Sequence, residues 1–279
     1  MNLLKFTNGN AKIDTGINIF SLPAGRTCPG ASLCKSMVVK NSNNSSGYGI
    51  QDGPQCQFRC FAASEESIFV SVRLQREHNF NQLKSCKTVK EMVNLIIASL
   101  PVSKFNLPVR IHASGDFFSQ NYFDAWLEVA KMFPHRIFYG YTKSLPFYVK
   151  RIKSIPSNLR LVASYGGKFD YLIKKHNLRF AKVVFSVEEA NKLGLEIDHD
   201  DSLAYYGTKS LALLLHGKQR AGTESAKALN ILKKLGIGGY GKTKAATKTA
   251  GAKAVSAGGY PPPQRGLTFP KQTSNITKL

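Results

Sequence analysis

The sequence predicts an α/β protein built from repeated βα units. From about residue 105, short apolar runs alternate with segments whose apolar residues recur at helical spacing. A chain of 279 residues with 43% hydrophobic content can bury a substantial core. Such repetition requires a mainly parallel sheet. We expect a full or partial parallel (β/α) barrel, with a doubly wound sheet as the alternative.

A strand at residues 17–22 and helices near residues 65–78 and 89–100 form the predicted first unit, and the repeated pattern brings the total to about six strands. Five strand–helix pairs follow, with strands at residues 109–113, 137–141, 159–165, 181–185 and 211–215, and helices at residues 122–132, from 146, 169–175, 187–193 and 225–235. No G-x-G-x-x-G or G-x-x-x-x-G-K-[ST] fingerprint follows any of these strands, which counts against a doubly wound nucleotide-binding sheet.

Two segments lack the apolar periodicity of a folded core. Residues 1–238 form the predicted α/β domain, and from residue 239 the composition changes to Gly, Ala, Lys and Thr, followed by Tyr-Pro-Pro-Pro at residues 260–263. We expect residues 239–279 to be a disordered basic tail. Residues 41–53 form a polar insertion that we expect to have the same character.

The charge balance indicates a polyanionic partner. There are 39 Lys+Arg against 17 Asp+Glu, a net charge of +22. Residues 241–279 carry seven basic residues and no acidic one, and subtracting them still leaves +15. A surplus spread this widely favours binding of nucleic acid through phosphate neutralisation. The alternative is that the charge serves solubility alone.

The sequence shows no sign of export or of membrane insertion. No stretch approaches the roughly 20 apolar residues that cross a bilayer, and the N-terminus lacks the apolar core of a signal peptide. We therefore expect a soluble protein of the cytoplasm. Because thiols stay reduced there, paired cysteines indicate metal ligation rather than disulfides.

Four cysteines form the predicted metal site. Cys28 and Cys34 are separated by five residues, Cys56 and Cys60 by three, and 21 residues lie between the pairs. Four thiolates suit either tetrahedral zinc or a 4Fe-4S iron–sulfur cluster, and the five-residue spacing counts modestly against a zinc ribbon. The alternative is four buried free thiols that pack as small hydrophobes. The isolated Cys86 is not expected to be a ligand.

The second pair resembles part of the cysteine loop of radical S-adenosylmethionine enzymes, with Ala63 where the third cysteine would fall. Three cysteines leave one iron open to bind S-adenosylmethionine, whereas four close the cluster. The cofactor prediction is therefore an iron–sulfur cluster or zinc, with S-adenosylmethionine chemistry open only if the first pair supplies a single ligand.

Polar residues at strand ends are the candidate site residues, because the carboxyl ends of parallel strands form the working face of βα-repeat proteins. Strand alternation places His112 on the same face as Arg110, where Asp116 could orient the imidazole for proton transfer. The alternative for His112 is a hydrogen-bonded core histidine. The predicted catalytic residues are His112, Asp116, Lys143 and His216, and the predicted cofactor-binding residues are Ser114, Gly166, Gly167 and Gln219.

Several of these residues have simpler interpretations. Lys143 could neutralise a phosphate or carboxylate, or it could be a solvated charge. Gly166 and Gly167 permit close approach of a ligand to the backbone. The acidic residues 198–201 could bind a divalent cation, but a plain turn before the next helix accounts for them better.

The chain resembles the bacteriophage family called gene product 88 over roughly residues 5–235. The resemblance lies in residues 20–25 (FSLPAG), 27–31 (TCPGA), 60–62 (CFA), 112–119 (HASGDFFS), 138–144 (FYGYTKS) and 216–219 (HGKQ). It implies a viral origin, a shared cysteine site and action in the cytoplasm of the infected host cell, but no mechanism. A more remote resemblance is to radical-SAM-like phage barrel proteins.

Two functional hypotheses follow. The first is an iron–sulfur enzyme that acts on nucleic acid or nucleotides. A radical-SAM-like barrel is one form that this enzyme could take. In the enzyme, Lys143 holds an anionic group and His112 or His216 transfers a proton. The second is a non-catalytic nucleic-acid-binding or host-takeover protein in which the four cysteines hold a structural zinc.

Overall fold

The computed structural model describes residues 2–10, 13, 16–45, 47–101 and 107–237. All of them belong to one compact unit, Met1–Thr243. The tail predicted from residue 239 lies outside the described residues. Within the described part of the chain, no helix is long and apolar enough to cross a membrane.

The elements alternate along the chain as the sequence predicts. The strands are β1 (Thr7–Asn8), β2 (Asn18–Phe20), β3 (Ser36–Lys40), β4 (Tyr48–Asp52), β5 (Val109–Ile111), β6 (Phe138–Thr142), β7 (Leu159–Ser164), β8 (Phe180–Val184), β9 (Glu196–Ile197) and β10 (Leu211–Leu214). The helices are α1 (Phe61–Ile68), α2 (Val70–Ser85), α3 (Val89–Ser99), α4 (Gln120–Met132), α5 (Leu145–Lys150), α6 (Tyr171–Lys175), α7 (Val187–Lys192), α8 (Ser202–Tyr206) and α9 (Glu224–Lys234).

Eight of the strands form one mostly parallel sheet in the order β1-β2-β5-β6-β7-β8-β10-β9. Only β1 pairs antiparallel, with β2. From β2 to β8 the strands of this sheet lie side by side in chain order, and β10 then inserts between β8 and β9. In the described residues β1 and β9 do not pair with each other, so the strands form a sheet without a closing pair.

Both faces of this sheet are covered. Successive residues of β6 show this, because Phe138 packs in the cluster that includes residues of α3 and α4, whereas Tyr139 packs with Ala204 of α8. The alternation follows from the pleat, which points neighbouring side chains to opposite faces. The α/β class is therefore confirmed, and coverage of both faces is compatible with the doubly wound alternative.

Side-chain caps define where several helices begin. Thr88, Ser119, Ser186 and Thr223 each accept a hydrogen bond from the backbone amide three residues later. Such a bond satisfies one of the amides that a first helical turn leaves unpaired. The caps at Ser119, Ser186 and Thr223 lie between a strand of the parallel sheet and its helix, which fixes the loops at the carboxyl ends of the strands.

The expectation of disorder for residues 41–53 is wrong where β4 lies. β3 and β4 form an antiparallel hairpin whose register runs from the Ser36–Asp52 pair to the Lys40–Tyr48 pair. The amide of Asn41 donates to Gly47 O at 2.9 Å across the turn. Main-chain pairing with β3 therefore orders this polar segment, although its own side chains supply little apolar surface.

Candidate functional site

The first cysteine loop (residues 23–35) lies against the carboxyl end of β7. The amide of Leu33 donates to Gly166 O, and the amide of Lys168 donates to Gly30 O, both at 2.9 Å. Ala31 forms an isolated antiparallel bridge in the same place. These backbone bonds bring Cys28 and Cys34 to the edge of the sheet at which the parallel strands end.

Close contact between this loop and the end of β6 depends on Gly30. A Cβ at this position would lie 2.0 Å from the carbonyl oxygen of Lys143. No real Cβ approaches an atom this closely, so any other residue would push the loop away from the sheet. Gly30 therefore sets the distance between the cysteines and the strand ends.

The second cysteine loop (residues 53–60) is attached both to the first loop and to the end of β10. The amides of Gln57 and Phe58 donate to Leu33 O at 2.8 and 3.2 Å. The side chain of Gln219 accepts the amide of Arg59 at 2.8 Å and donates to the carbonyl of the same residue at 3.3 Å. Both cysteine pairs thus reach the carboxyl edge of the sheet.

The four thiols share one neighbourhood. The charge of Cys34 would act on Cys28, Cys56 and Cys60, and the charge of Cys60 would act on Cys28. Burial is the largest cause that raises the pKa of Cys28 and Cys56, and it raises the pKa of Cys60 to about 12. Unless a metal or a positive charge compensates, the thiols of Cys28, Cys56 and Cys60 therefore stay protonated at neutral pH.

Backbone amides act on two of the thiols. Cys60 is the N-cap of α1, and the amides of Ala62 and Ala63 in the first turn lower the pKa of its thiol. The backbone of Gly25 lowers the pKa of Cys28 in the same way. Such amides favour the thiolate form over the thiol.

The four thiols interact electrostatically, but they are not arranged as a metal site. Across the described residues, no group of three or more His, Cys, Asp or Glu side chains is arranged to hold a metal ion. The two findings are compatible. Charges interact over several ångströms, whereas a metal–sulfur bond is only about 2.3 Å long. We take from both that the thiols are neighbours, not preformed ligands.

Asp116 ties the ends of β5 and β6 together. One oxygen of its carboxylate accepts from the Thr142 hydroxyl and the Phe117 amide, both at 2.7 Å. The other accepts the amides of Lys143 and Ser144 at 2.8 and 3.2 Å. Burial raises the pKa of Asp116, whereas these donors lower it.

Lys143 is a buried cation beside this carboxylate. Its side chain is buried, with 8% of the residue exposed, and its ammonium donates to the hydroxyl of Ser164. In the part of the chain that the structure describes, no carboxylate lies within ion-pair distance of this ammonium. The charge of Asp116 acts on Lys143 from a longer distance, and a buried charge is costly when no opposite charge is paired with it directly.

The predicted cofactor-binding residues contact protein groups. The Ser114 hydroxyl donates to Glu66 at 3.2 Å, and Gln219 clamps the second cysteine loop. The amides of Gly166 and Gly167 donate to the carboxylate of Asp170 at 2.9 Å. The close approach that the two glycines permit is made by the first cysteine loop.

His112 is not where strand alternation placed it. Its φ of 65° interrupts the extended backbone after Ile111, so its ring leaves the face of Arg110 and packs against Phe20 and Phe117. Its Nε2 lies 2.9 Å from the Tyr122 hydroxyl, so the prediction that Asp116 orients it is wrong. Burial, and secondarily the charge of Arg110, lowers the pKa of His112 to about 3.

His216 lies at the edge of the sheet as predicted. Its ring packs at a tilt of 37° against Phe61, the residue that directly follows Cys60, with the ring centroids 4.6 Å apart. Its Nδ1 lies 2.9 Å from Leu214 O, which favours the tautomer with the proton on Nδ1. Two of the predicted catalytic residues therefore lie near cysteines. His216 is beside the second cysteine loop, and the charge of Asp116 acts on Cys28.

Three polar groups of the site were not predicted from sequence. Glu66 is buried and accepts from Ala24 in the first cysteine loop and from Arg76 in α2. Asp170 holds the loop after β7. Ser36 lies between the cysteine pairs. Only Asp170 carried a signal, since it directly precedes a helix.

The acidic residues 198–201 belong to the turn before α8, as expected. Asp201 is completely buried and forms an ion pair with Arg110, and Tyr139 donates to the same carboxylate at 3.3 Å. Asp198 accepts from the Tyr141 hydroxyl, also at 3.3 Å. These carboxylates fix α8 against the sheet.

A cavity of about 280 Å³ lies between the first cysteine loop, the hairpin and α2. It is lined by Pro23, Ala24, Arg26, Met37, Val38, Lys40, Tyr48, Glu66, Arg73, Leu74 and Glu77. Its lining includes none of the four cysteines and neither Asp116 nor Lys143. We therefore assign the chemistry to the edge of the sheet and not to this cavity.

Fold and site together define an α/β protein with a mostly parallel sheet that carries a cluster of four thiols at its carboxyl edge. The family model of gene product 88 matches residues 2–233, and the chain belongs to that family. No curated protein and no solved structure matches it. The more remote resemblance to radical-SAM-like barrels has no support from these comparisons.

Proposed function

We propose that this protein carries a metal or iron–sulfur centre on Cys28, Cys34, Cys56 and Cys60 and binds an anionic ligand beside it. The observation that carries the proposal is that the two cysteine loops bring four thiols into one neighbourhood at the strand ends. We further infer a partial (β/α) barrel, since the sheet strands from β2 to β8 follow chain order.

The donor set fits such a group chemically. Four thiolates are ligands for zinc and for a four-iron cluster, and amides that donate to ligand sulfurs are typical of such centres. Because the thiols do not converge in the described residues, binding requires their side chains to move together. When bound, a cluster would supply electron transfer, and zinc would supply a cross-link between the two loops.

Lys143 would hold the anion. Its buried ammonium donates to a hydroxyl and feels the charge of Asp116 from beyond ion-pair distance, so a phosphate or carboxylate of the ligand would supply a negative charge in direct contact. Asp116 fixes the backbone at this position through the amides of Lys143 and Ser144. A net charge of +22 favours a nucleotide or nucleic acid as the ligand, within the host cytoplasm.

Of the two histidines, His216 fits proton transfer better. The Nδ1 contact with Leu214 O leaves Nε2 as the basic nitrogen, on a ring that is only half-buried. His112 is enclosed by aromatic rings, and its pKa of about 3 keeps it neutral throughout the physiological range. We therefore assign proton transfer in the enzyme hypothesis to His216.

Metal analysis of protein purified without oxygen tests the centre. A cluster predicts a brown protein with about four iron ions per chain, and zinc predicts a colourless protein with about one equivalent. Cys56→Ser and Cys60→Ser are expected to lose the metal. The control Cys86→Ser, whose thiol packs at the end of α2, keeps it. Wild-type protein with neither metal would refute the proposal.

The second candidate is a non-catalytic nucleic-acid-binding protein with a structural zinc. The observation that favours it is that +15 of the net charge lies outside residues 241–279. Binding to DNA or RNA should then weaken steeply with salt and survive removal of residues 241–279. If that truncation abolishes binding, the α/β domain is not the nucleic-acid surface.

A further inference from the structure

Ser36 lies between three of the four cysteines. It is the first residue of β3 and is completely buried. Its hydroxyl oxygen lies 3.3 Å from Cys34 O, 3.6 Å from the sulfur of Cys56 and 3.3 Å from the amide nitrogen of Cys60. One side chain thus contacts both cysteine loops.

The backbone of Ser36 is held by the hairpin and by the first cysteine loop. Ser36 pairs with Asp52 at the end of β3–β4. On the other side Gly25 packs so closely that a Cβ there would lie 2.2 Å from Ser36 O. The Cβ that carries the hydroxyl is therefore anchored beside the cysteines, and the whole residue is buried.

A serine hydroxyl has one proton, and the state of Cys56 decides where it points. While Cys56 is a thiol, its sulfur can donate to Phe58 O at 3.3 Å, and Ser36 can donate to Cys34 O. A thiolate can only accept, so in the ligating state the Ser36 hydroxyl donates to the sulfur of Cys56. In both states the oxygen still accepts the amide of Cys60.

We infer that Ser36 is a positioning residue of the thiolate centre, which supports Cys56 as a ligand and sets the spacing between the two cysteine loops. This inference rests on the proposed metal centre. Hydrogen bonds to ligand atoms orient the ligands, and their loss typically weakens metal binding by 10–100-fold. Ser36 would contribute such a bond from outside the ligand set.

Cobalt binding to the reduced, metal-free full-length protein tests the inference. Thiolate-to-cobalt charge-transfer absorption in the near ultraviolet reports directly on the sulfur ligands during a Co²⁺ titration. For Ser36→Ala we expect a Kd at least about tenfold higher than that of the wild type, together with weaker charge-transfer absorption. Ser36→Thr keeps the hydroxyl and should retain the spectrum.

Ser32→Ala is the matched control. Ser32 is buried in the first cysteine loop, and its hydroxyl also reaches the second cysteine loop, at Gln55, but it bonds to no cysteine. Its loss should leave the Kd for Co²⁺ within about threefold of the wild type, well below the range expected for a ligand contact. An equal weakening in Ser32→Ala and Ser36→Ala would show that general loosening of the loop explains the effect and would overturn the inference.

A pair of variants with equal shape guards against misfolding. Ser36→Val and Ser36→Thr have nearly the same volume and differ in the hydroxyl, so any cost of the added bulk cancels between them. We expect the threonine variant to bind Co²⁺ at least about tenfold more tightly. Equal binding by both overturns the role of Ser36, whereas a wild type without charge-transfer absorption refutes the metal centre itself.

Discussion

The buried imidazole of His112 should make the protein sensitive to mild acid. It is surrounded by Phe20, Phe117 and Tyr122, and burial is the main reason that its pKa falls from 6.5 to about 3. The charge of Arg110 adds to the shift. In the unfolded chain the ring regains its ordinary pKa.

The sign and size of the effect follow from this difference. Between pH 6.5 and pH 3 the unfolded chain binds a proton at His112 that the folded chain does not, so acid favours unfolding. The free energy of unfolding then falls by up to about 1.4 kcal/mol for each pH unit. Between pH 7 and pH 5 this single group should cost about 2 kcal/mol.

Urea unfolding of the wild type and His112→Asn at pH 7, 6 and 5 measures the effect. Asparagine tolerates the positive φ of this position and does not titrate. The variant is less stable at pH 7 because it leaves a cavity, but its loss of stability between pH 7 and pH 5 should be about 2 kcal/mol smaller. His135→Asn makes the same substitution at an exposed position and serves as the control for exchanging an imidazole for an amide. Parallel profiles for the wild type and His112→Asn would refute the reasoning.

Three further predictions concern the sheet edge and its interior. Asp116→Asn removes an acceptor of buried backbone amides and should lower the free energy of unfolding by about 2–4 kcal/mol in urea denaturation. Asp201→Asn removes the carboxylate from the buried ion pair with Arg110 and should cost about 3–5 kcal/mol, whereas Glu128→Gln in an exposed ion pair should cost under about 1 kcal/mol. Gly30→Ala clashes with Lys143 O and should at least halve the metal content of the folded protein, measured by mass spectrometry against the wild type; unchanged content would contradict the assigned role of this contact.

The parallel sheet could be predicted because its strands have strong local signals. The apolar run of β7 and the amphipathic repeat of α4 each match one secondary-structure period. The loop after β5 also ends at Ser119, and serine is a residue type that caps helices well. These features depend on neighbours in the chain, so the sequence alone is enough to predict them.

Other features depend on contacts between one segment and another, and not on the residue pattern within a segment. The hairpin was missed because β4, Tyr48–Asp52, has little apolar alternation and is ordered by its partner strand. The positive φ of His112 is a single-residue departure from the extended backbone of β5, and strand alternation does not reveal it. The sequence could predict that the two cysteine loops lie together near the strand ends. It could not predict whether their thiols converge, because that depends on side-chain rotamers.

The contact between Gln219 and Arg59 has a consequence for biosynthesis. The two residues are 160 positions apart, so the hydrogen bonds between Gln219 and the second cysteine loop cannot form until almost the entire α/β domain has been translated. At about 5–20 residues per second, this delay amounts to roughly 10–30 seconds. During that interval Cys56 and Cys60 lack the partner that closes their loop, so the proposed metal or cluster would enter after the last strand is complete rather than while the thiols emerge from the ribosome.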